Sequence, residues 1–201
     1  MTLKPDWIGF IFYPKSPRFV GEEFDTTASQ LASGAKKTGV FVNQTIDYIQ
    51  SKIERYSLNA LQLHGSESPE MCATLKSQGV TIIKAFSVDE SLDFAPMQSY
   101  VDHVDYFLFD TKTSGHGGSG QKFDWQLLTN YPYSKPFFLS GGIDESDAST
   151  IIKLNIPQLA CIDLNSKFEI SPGVKNIEML KTFLNQLQQY QTVKSHHTNH
   201  I

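Results

Sequence analysis

Residues 136–146 read PFFLSGGIDES, an apolar run that ends in small polar residues and leads directly into a helix start. The run is apolar throughout rather than alternating, which is typical of a parallel strand covered on both faces. Asp144 or Ser146 can cap the helix that follows. This stretch therefore predicts one β-strand–helix unit of a parallel sheet.

The same unit recurs along the chain, with helix signals such as the Ser68-Pro69 cap between the apolar runs. Polar residues cluster just after most of the runs, and polar groups at the ends of many successive strands describe a barrel mouth better than a single crevice. We therefore expect an α/β fold of the (β/α)8 TIM-barrel type with one unit missing, because we count only seven strands. The predicted strands are Trp7–Tyr13, Gly39–Val42, Ala60–Leu63, Thr81–Ala85, Tyr106–Phe109, Pro136–Leu139 and Leu159–Leu164.

The amino-acid composition excludes several classes of protein. The 201 residues carry a formal net charge of −4 and are 40% hydrophobic, so disorder, nucleic-acid binding and an anionic membrane surface are disfavoured as explanations. No apolar run is long enough to span a membrane and no signal peptide is evident, and the two cysteines cannot form a disulfide framework. We expect a cytoplasmic protein with one domain over residues 1–190 and a disordered tail over 191–201, where periodicity is lost.

The glycines after the sixth strand favour an anion site. Bare backbone amides at Gly141 and Gly142 can approach an anion next to a helix start, and a tight turn without a ligand is the alternative. The next strand ends in Asp163, Asn165 and Ser166, whose amides and side chains could complete the cradle. Two adjacent loops of this type at the end of a barrel favour phosphate.

Three further residues at strand ends could carry chemistry. Asp110 follows an apolar strand, where partial desolvation suits a general acid, although it could instead cap the next loop. Arg18 could hold a carboxylate with two hydrogen bonds or be a surface arginine. His64 could donate to an anion, act in acid–base chemistry, or only cap a helix.

The remaining motifs give weaker evidence for a functional site. Residues 115–120, GHGGSG, match a dinucleotide-binding pattern but follow their strand too late, so a mobile loop over the mouth is the better interpretation. The tail histidines 196, 197 and 200 have no carboxylates near them, and we predict no metal site and no cofactor. Cys161 should lie one layer beneath Asp163 in the core, and Cys72 should pack on a helix, so neither is a convincing nucleophile.

Taken together, these stretches resemble the phosphoribosylanthranilate isomerase family of tryptophan biosynthesis. The matching segments are collinear and cover roughly residues 6 to 185, and the combination FLFDTK…GGSG…FDW followed by LSGGI is highly specific. The segments are GFIFYPKSPRFV, TGVFVNQ, ALQLHGSES, IIKAF, FLFDTKTSGHGGSGQKFDW, FFLSGGI and CIDLNSKFEISPGVKN.

The resemblance implies a cofactor-free Amadori rearrangement of N-(5-phosphoribosyl)anthranilate, a small phosphorylated molecule, to 1-(2-carboxyphenylamino)-1-deoxyribulose 5-phosphate. It implies that Asp110 is the general acid for ring opening and that Arg18 holds the anthranilate carboxylate. It places Asp163 near the sugar and His64 near the site without a fixed role. The phosphate would lie at the loops that contain Gly141, Gly142, Asn165 and Ser166.

One departure from the family bears on activity. The family opens with a Lys-x-Cys-Gly strand whose cysteine acts as general base, and this sequence begins at what would be the second strand. We therefore expect impaired activity in the chain as given, most simply through a late start of the sequence. The alternatives are a divergent barrel closure or a non-catalytic barrel that binds phosphorylated ligands. An indole-glycerol-phosphate synthase is disfavoured, because Lys84 has no evident glutamate partner.

Overall fold

The computed structural model describes residues 3–24, 34–112 and 122–197, with side chains through residue 189. The Gly-rich stretch 115–120, expected to be a mobile loop, lies outside these ranges, as does His200. The strands are β1 (Trp7–Ile11), β2 (Lys36–Phe41), β3 (Ala60–Leu63), β4 (Thr81–Val88), β5 (Tyr106–Thr111), β6 (Phe137–Leu139), β7 (Leu159–Ile162), β8 (Glu169–Ser171) and β9 (Val174–Lys175). The helices are α1 (Ile46–Tyr56), α2 (Pro69–Lys76), α3 (Ala148–Leu154) and α4 (Ile177–His197), with short 3-10 helices of three to six residues elsewhere.

The main sheet confirms the predicted strand count and connectivity. Its seven strands are ordered β1 to β7, and each pairs in parallel with its neighbour along the chain. The sheet is therefore a curled, barrel-type sheet with β1 and β7 at its two edges. A separate antiparallel hairpin, β8–β9, follows β7 and was not predicted.

Only β3 has the predicted bounds: β1 ends at Ile11, β2 covers Lys36–Phe41, β6 begins at Phe137 and β7 ends at Ile162. Two strands that lead to the site are longer than predicted. Strand β4 continues to Val88 and β5 to Thr111, because the parallel ladder between them extends through the Ser87–Asp110 and Val88–Thr111 pairs. Hydrogen bonding to a neighbouring strand thus overrides the polar residues at which the sequence predicted the strands to end. As a result, Asp110 is the penultimate residue of β5 rather than the first residue of a loop.

Apolar side chains pack on both faces of the sheet. The larger cluster fills the space between the sheet and the helices and includes phenylalanines from β2, β5 and β6. The smaller cluster lies on the opposite, concave face and consists of Ala60, Ile83, Ala85, Leu108 and Phe138, with Trp7, Tyr106 and Cys161 packed against it. Strands covered on both faces explain the unbroken apolar runs in the sequence.

The concave face is closed at the N-terminal ends of the strands by aromatic rings. Trp7 from β1 meets Tyr106 from β5 and Phe138 from β6 edge to face, with ring centroids 5.7 and 5.3 Å apart. Tyr106 and Phe138 also contact one another at 5.1 Å. A strand at one edge of the sheet is thereby joined by side chains to strands near the other edge.

The predicted caps at Ser68 and Asp144 are confirmed, whereas the cap of α1 was not predicted. Thr45 caps α1 and Ser68 caps α2, which has Pro69 in its first turn, and Asp144 caps the 3-10 turn before α3. Helix α4 continues through His197, past the boundary at which we predicted the tail to begin, and the disorder of that tail stays a prediction. Within the described part of the chain, no helix combines the length and the apolar character needed to cross a membrane.

Replacing Trp7 should test the aromatic closure. We expect Trp7→Ala to lower the free energy of unfolding by about 2–3 kcal/mol, because it removes a partly buried ring and leaves a cavity. Trp7→Phe keeps an aromatic ring between Tyr106 and Phe138 and should lose less than half as much. Urea unfolding followed by circular dichroism measures both variants, and equal losses would contradict the role given to the ring.

Candidate active site

Asp110 and His64 meet at the C-terminal ends of their strands. His64 Nε2 lies 3.1 Å from Asp110 Oδ2, and Gln62 Nε2 lies 3.0 Å from His64 Nδ1. When the Gln62 amide donates to Nδ1, the ring proton lies on Nε2 and is donated to the carboxylate. The two partners remain about one-quarter exposed, at 23% for His64 and 25% for Asp110. The predicted acid is therefore oriented by a histidine and open to solvent on the concave side.

Asp163 lies in the same mouth. Ser140 Oγ donates to Asp163 Oδ2 at 3.1 Å, so this contact joins the ends of β6 and β7. Burial raises the pKa of Asp163 above its ordinary value, and the nearby negative charge of Asp110 raises the pKa further. The two carboxyl groups are thus close enough to influence one another, and Asp163 holds its proton to a higher pH than an exposed aspartate would.

The glycine loop after β6 has the tight geometry that the sequence suggested. Gly141 and Gly142 adopt positive φ angles of 91° and 70°. A Cβ atom at position 141 would meet the backbone nitrogen and hydroxyl of Thr111, so this loop packs directly on the end of β5. Asp144 and Asp147 form a capping box just beyond the loop. Among the described residues, none accepts a hydrogen bond from the backbone N–H of Gly141 or Gly142, which suits a site for an anion.

Arg18 is paired with a residue that the sequence did not single out. Its Nε donates to both carboxylate oxygens of Glu169, at 3.0 and 2.8 Å, and its Nη2 lies 2.7 Å from Oε2. Lys175 Nζ also donates to Glu169 Oε1 at 3.0 Å and to Asn165 Oδ1 at 2.8 Å. One network therefore connects the loop after β1 with the loop after β7. It contains Arg18 and Asn165, two of the predicted binding residues.

A buried ion pair supports the loop that carries His64. Lys84 Nζ donates to Glu67 Oε2 at 3.1 Å and to the carbonyl oxygens of Leu63 and Gly65 at 3.1 and 2.7 Å. The exposed fractions of the two side chains are 2% and 1%. The expectation that Lys84 lacks a glutamate partner was wrong, because Glu67 folds back over the end of β3. A lysine inside the apolar run IIKAF was the available signal.

The two cysteines lie where the sequence placed them. Cys72 is buried on α2, and Cys161 packs against the concave cluster one layer below Asp163. Burial raises the pKa of the Cys72 thiol to about 11 and that of the Cys161 thiol to about 12, so both are protonated near neutral pH. In the described part of the chain, no group of three or more His, Cys, Asp or Glu side chains could hold a metal ion.

The predicted site residues form two groups around one rim. Asp110, His64 and Asp163 share the concave side together with Gly141, which packs against Asp110. Arg18 and Asn165 are joined through Glu169 and Lys175, and Ser166 begins the 3-10 turn that follows Asn165. Glu169, Lys175, Glu67 and Ser140 were not predicted.

Comparison with known proteins decides the family. The family model described as N-(5'-phosphoribosyl)anthranilate isomerase matches residues 2–186. This chain belongs to that family. The isomerase of Parabacteroides distasonis is 50% identical over 190 residues, covering 92% of this chain and 85% of that protein.

Solved structures of this isomerase family share the fold. The crystal structure from Thermotoga maritima has 32% sequence identity and a TM-score of 0.75, with 92% of this chain and 88% of that chain covered. A family structure in complex with reduced 1-(o-carboxyphenylamino)-1-deoxyribulose 5-phosphate has 28% identity and a TM-score of 0.72, with the same coverage of 92% and 88%. The resemblance inferred from the motifs is therefore confirmed at the level of family and fold.

The buried pair should be essential to stability. We expect Lys84→Met to lower the free energy of unfolding by about 3–5 kcal/mol, because it leaves the Glu67 carboxylate buried without a countercharge. The double variant with Glu67→Gln should recover part of that loss. Lys181→Met, which breaks an exposed pair with Glu178 on α4, is the matched control and should change little. Urea titration measures all three, and a single-variant loss no larger than the control would contradict this role.

Asp163 should make stability depend on pH. Since its pKa is raised in the folded state, its contribution to stability is complete below the ordinary value and is lost as pH rises through the folded pKa. We therefore expect Asp163→Asn to become increasingly stable relative to the unsubstituted protein as pH rises from about 4 to about 8. Asp89, whose pKa is lowered by Lys112 and Ser91, provides a control through Asp89→Asn, and its stability difference should stay nearly flat over this range because Asp89 titrates below the ordinary aspartate pKa. Urea unfolding across this pH range measures both, and a flat difference for Asp163→Asn would refute the assignment.

Proposed function

We propose that this chain is an isomerase of tryptophan biosynthesis that converts N-(5-phosphoribosyl)anthranilate to 1-(2-carboxyphenylamino)-1-deoxyribulose 5-phosphate. The observation that carries the proposal is the pairing of Asp110 with His64 on the concave rim of this family's fold. An arginine and two anion-compatible loops lie at the same ends of the strands. The substrate is a small molecule with a carboxylate at one end and a phosphate at the other.

Asp110 supplies the proton in the first step. Its carboxyl group protonates the furanose ring oxygen while the bond from that oxygen to C1 breaks and the nitrogen lone pair forms the C1–N double bond of a Schiff base. His64, which donates to Oδ2, fixes the orientation of the carboxyl group. Removal of the C2 proton from the protonated Schiff base then gives an enolamine. Protonation of C1 and loss of the proton from the C2 hydroxyl convert the enolamine to the ketose.

The remaining residues bind and orient the substrate. Arg18 offers a planar set of N–H donors that suits the anthranilate carboxylate. The amides at Gly141 and Gly142, together with Asn165 and Ser166, receive the phosphate, and Asp163 contacts a sugar hydroxyl. A carboxyl group with a raised pKa is suited to this contact, because in its neutral form it both donates and accepts hydrogen bonds.

The base that removes the C2 proton is not assigned to a cysteine of this chain. Cys72 is buried and Cys161 is partly buried, and the raised pKa values of the two thiols leave almost no thiolate at neutral pH. The experiment below therefore compares the chain with and without a supplied Lys-x-Cys-Gly strand, which carries the family's general-base cysteine. We further propose that the reaction takes place in the cytoplasm, as expected from the low cysteine content.

Substitution of the acid tests the proposal. Purified chain is assayed for conversion of N-(5-phosphoribosyl)anthranilate, both as given and with a Lys-x-Cys-Gly strand supplied at its N-terminus. In whichever of these two forms of the chain converts the substrate, Asp110→Asn should reduce kcat by about 10²–10⁴-fold, because the amide cannot transfer the proton.

Two control variants show whether the loss of activity is specific to Asp110 and which group is the base. Asp144→Asn changes an aspartate outside the proposed chemistry, and its kcat should stay close to that of the parent. A Cys→Ala change in the supplied strand tests whether that cysteine is the base. Binding of the reduced product analogue without turnover in either form would overturn the isomerase and favour a non-catalytic barrel that binds phosphorylated ligands.

A further inference from the structure

Glu169 lies almost completely buried between two cations. Its side chain is 4% exposed, and it accepts hydrogen bonds from Arg18, from Lys175 and from the backbone N–H of Gly173 at 3.2 Å. Burial alone would raise the pKa of Glu169, but the hydrogen bonds from Arg18 and Lys175 outweigh this effect and hold the pKa below its usual value. Glu169 is therefore a fixed negative charge at the start of β8.

The contact with Glu169 occupies only one edge of the guanidinium. Within the described residues, Arg18 contacts Glu169 through Nε and Nη2, which together form one side of the planar group. An arginine has five N–H donors, and the adjacent edge at the end of the group, formed by Nη1 and Nη2, has no partner at Nη1 among the described residues, so it can receive a second carboxylate. Arg18 and Lys175 carry two positive charges against the one negative charge of Glu169, which leaves a positive balance for an anionic ligand.

The second cation extends the network to the loop after β7. Lys175 donates to Asn165 Oδ1, so the Asn165 amide nitrogen must point away from the lysine. The hairpin that carries these residues pairs Glu169 directly with Lys175. It is anchored by Phe168, which is fully buried and packs on Phe183 with ring centroids 5.1 Å apart. One rigid hairpin therefore sets the orientation of side chains from both loops.

We propose that Glu169 is a positioning residue that aims Arg18 at the substrate carboxylate while Lys175, held by the same carboxylate, aims Asn165 at the phosphate. The inference rests on the proposed function and adds a specificity element to it: recognition of the two anionic ends of the substrate depends on one buried glutamate. Fixing the guanidinium before the ligand arrives reduces the side-chain entropy lost on binding.

The geometry disfavours a role as a competitor for Arg18. A competing carboxylate must leave when the ligand binds, yet Glu169 is buried, holds three separate donors and belongs to a hairpin anchored in the core. Releasing it would leave an unpaired charge in a place with little access to water. The two roles also predict opposite results when the charge of Glu169 is removed: loss of a positioning residue weakens binding of the carboxylated ligand, whereas loss of a competitor strengthens it.

Ligand binding to Glu169→Gln provides the test. Calorimetry measures Kd for reduced 1-(o-carboxyphenylamino)-1-deoxyribulose 5-phosphate and for its phenylamino counterpart, which has the phosphate but no carboxyl group. We expect Glu169→Gln to raise the Kd of the carboxylated ligand by about tenfold or more and that of its counterpart by about threefold or less. The ratio of the two Kd values, which measures discrimination between the ligands, should therefore fall. Lys175→Met should raise the Kd of both ligands by a similar factor and so preserve discrimination between them.

Matched variants exclude a purely structural effect. Glu178→Gln changes an exposed glutamate on α4 and should alter neither Kd. If Glu169→Gln does not fold, Glu169→Asp keeps the charge but withdraws it by one methylene, and it should cause a smaller loss of discrimination. In the form that turns over, Glu169→Gln should raise KM for N-(5-phosphoribosyl)anthranilate more than it lowers kcat.

The possible results separate this inference from the function on which it rests. Failure of the unsubstituted protein to bind either ligand would overturn both. Normal binding by the unsubstituted protein, with equal losses for the two ligands in Glu169→Gln, would overturn only the positioning role. Tighter binding of the carboxylated ligand in Glu169→Gln would show that Glu169 competes for Arg18.

Discussion

The pairing of Arg18 with Glu169 spans the gap between the two edges of the sheet, and the geometry of the mouth depends on it. Strands β1 and β7 are the first and last of the ordered set, and no ladder of hydrogen bonds joins them within the described residues. Side chains hold the two edges near one another instead. The ion pair acts at the C-terminal ends of the strands, and the rings around Trp7 act at the N-terminal ends.

The alternation of side chains along each strand explains why packing and chemistry share the concave face. Leu108 and Asp110 are two residues apart on β5, and Cys161 and Asp163 are two residues apart through the end of β7, so an apolar layer lies directly beneath a layer of carboxyl groups. A slip of one residue in register would exchange these faces and place Phe109 in the mouth. The same apolar layer desolvates Asp163, and this connects the composition of the core to the protonation of the site.

Much of this architecture could be predicted from the sequence, because it depends on local patterns. Apolar runs predicted the strands, the caps at Ser68 and Asp144 predicted two helical starts, and polar residues after the strands indicated the mouth, including Asp110 and His64. Glu169 could not be found in this way. It belongs to a short, unpatterned hairpin, and its partner Arg18 is 151 residues away along the chain, so only the tertiary fold brings the two together. Lys84 carried a visible signal, a charge within an apolar run, but its partner Glu67 could be identified only once the path of the loop was known.

The strictly sequential order of the strands also has a kinetic consequence. Each parallel pair joins neighbours along the chain, so the sheet can grow one unit at a time through contacts between consecutive units. The contact between Arg18 and Glu169 is different, because both ends of the domain must already be in place before it can form. A folding intermediate without the final unit would retain the pairing of Asp110 with His64 but would lack the aligned guanidinium. The ability to recognise a carboxylate would then mark the completion of folding, whereas the proton donor would be assembled earlier.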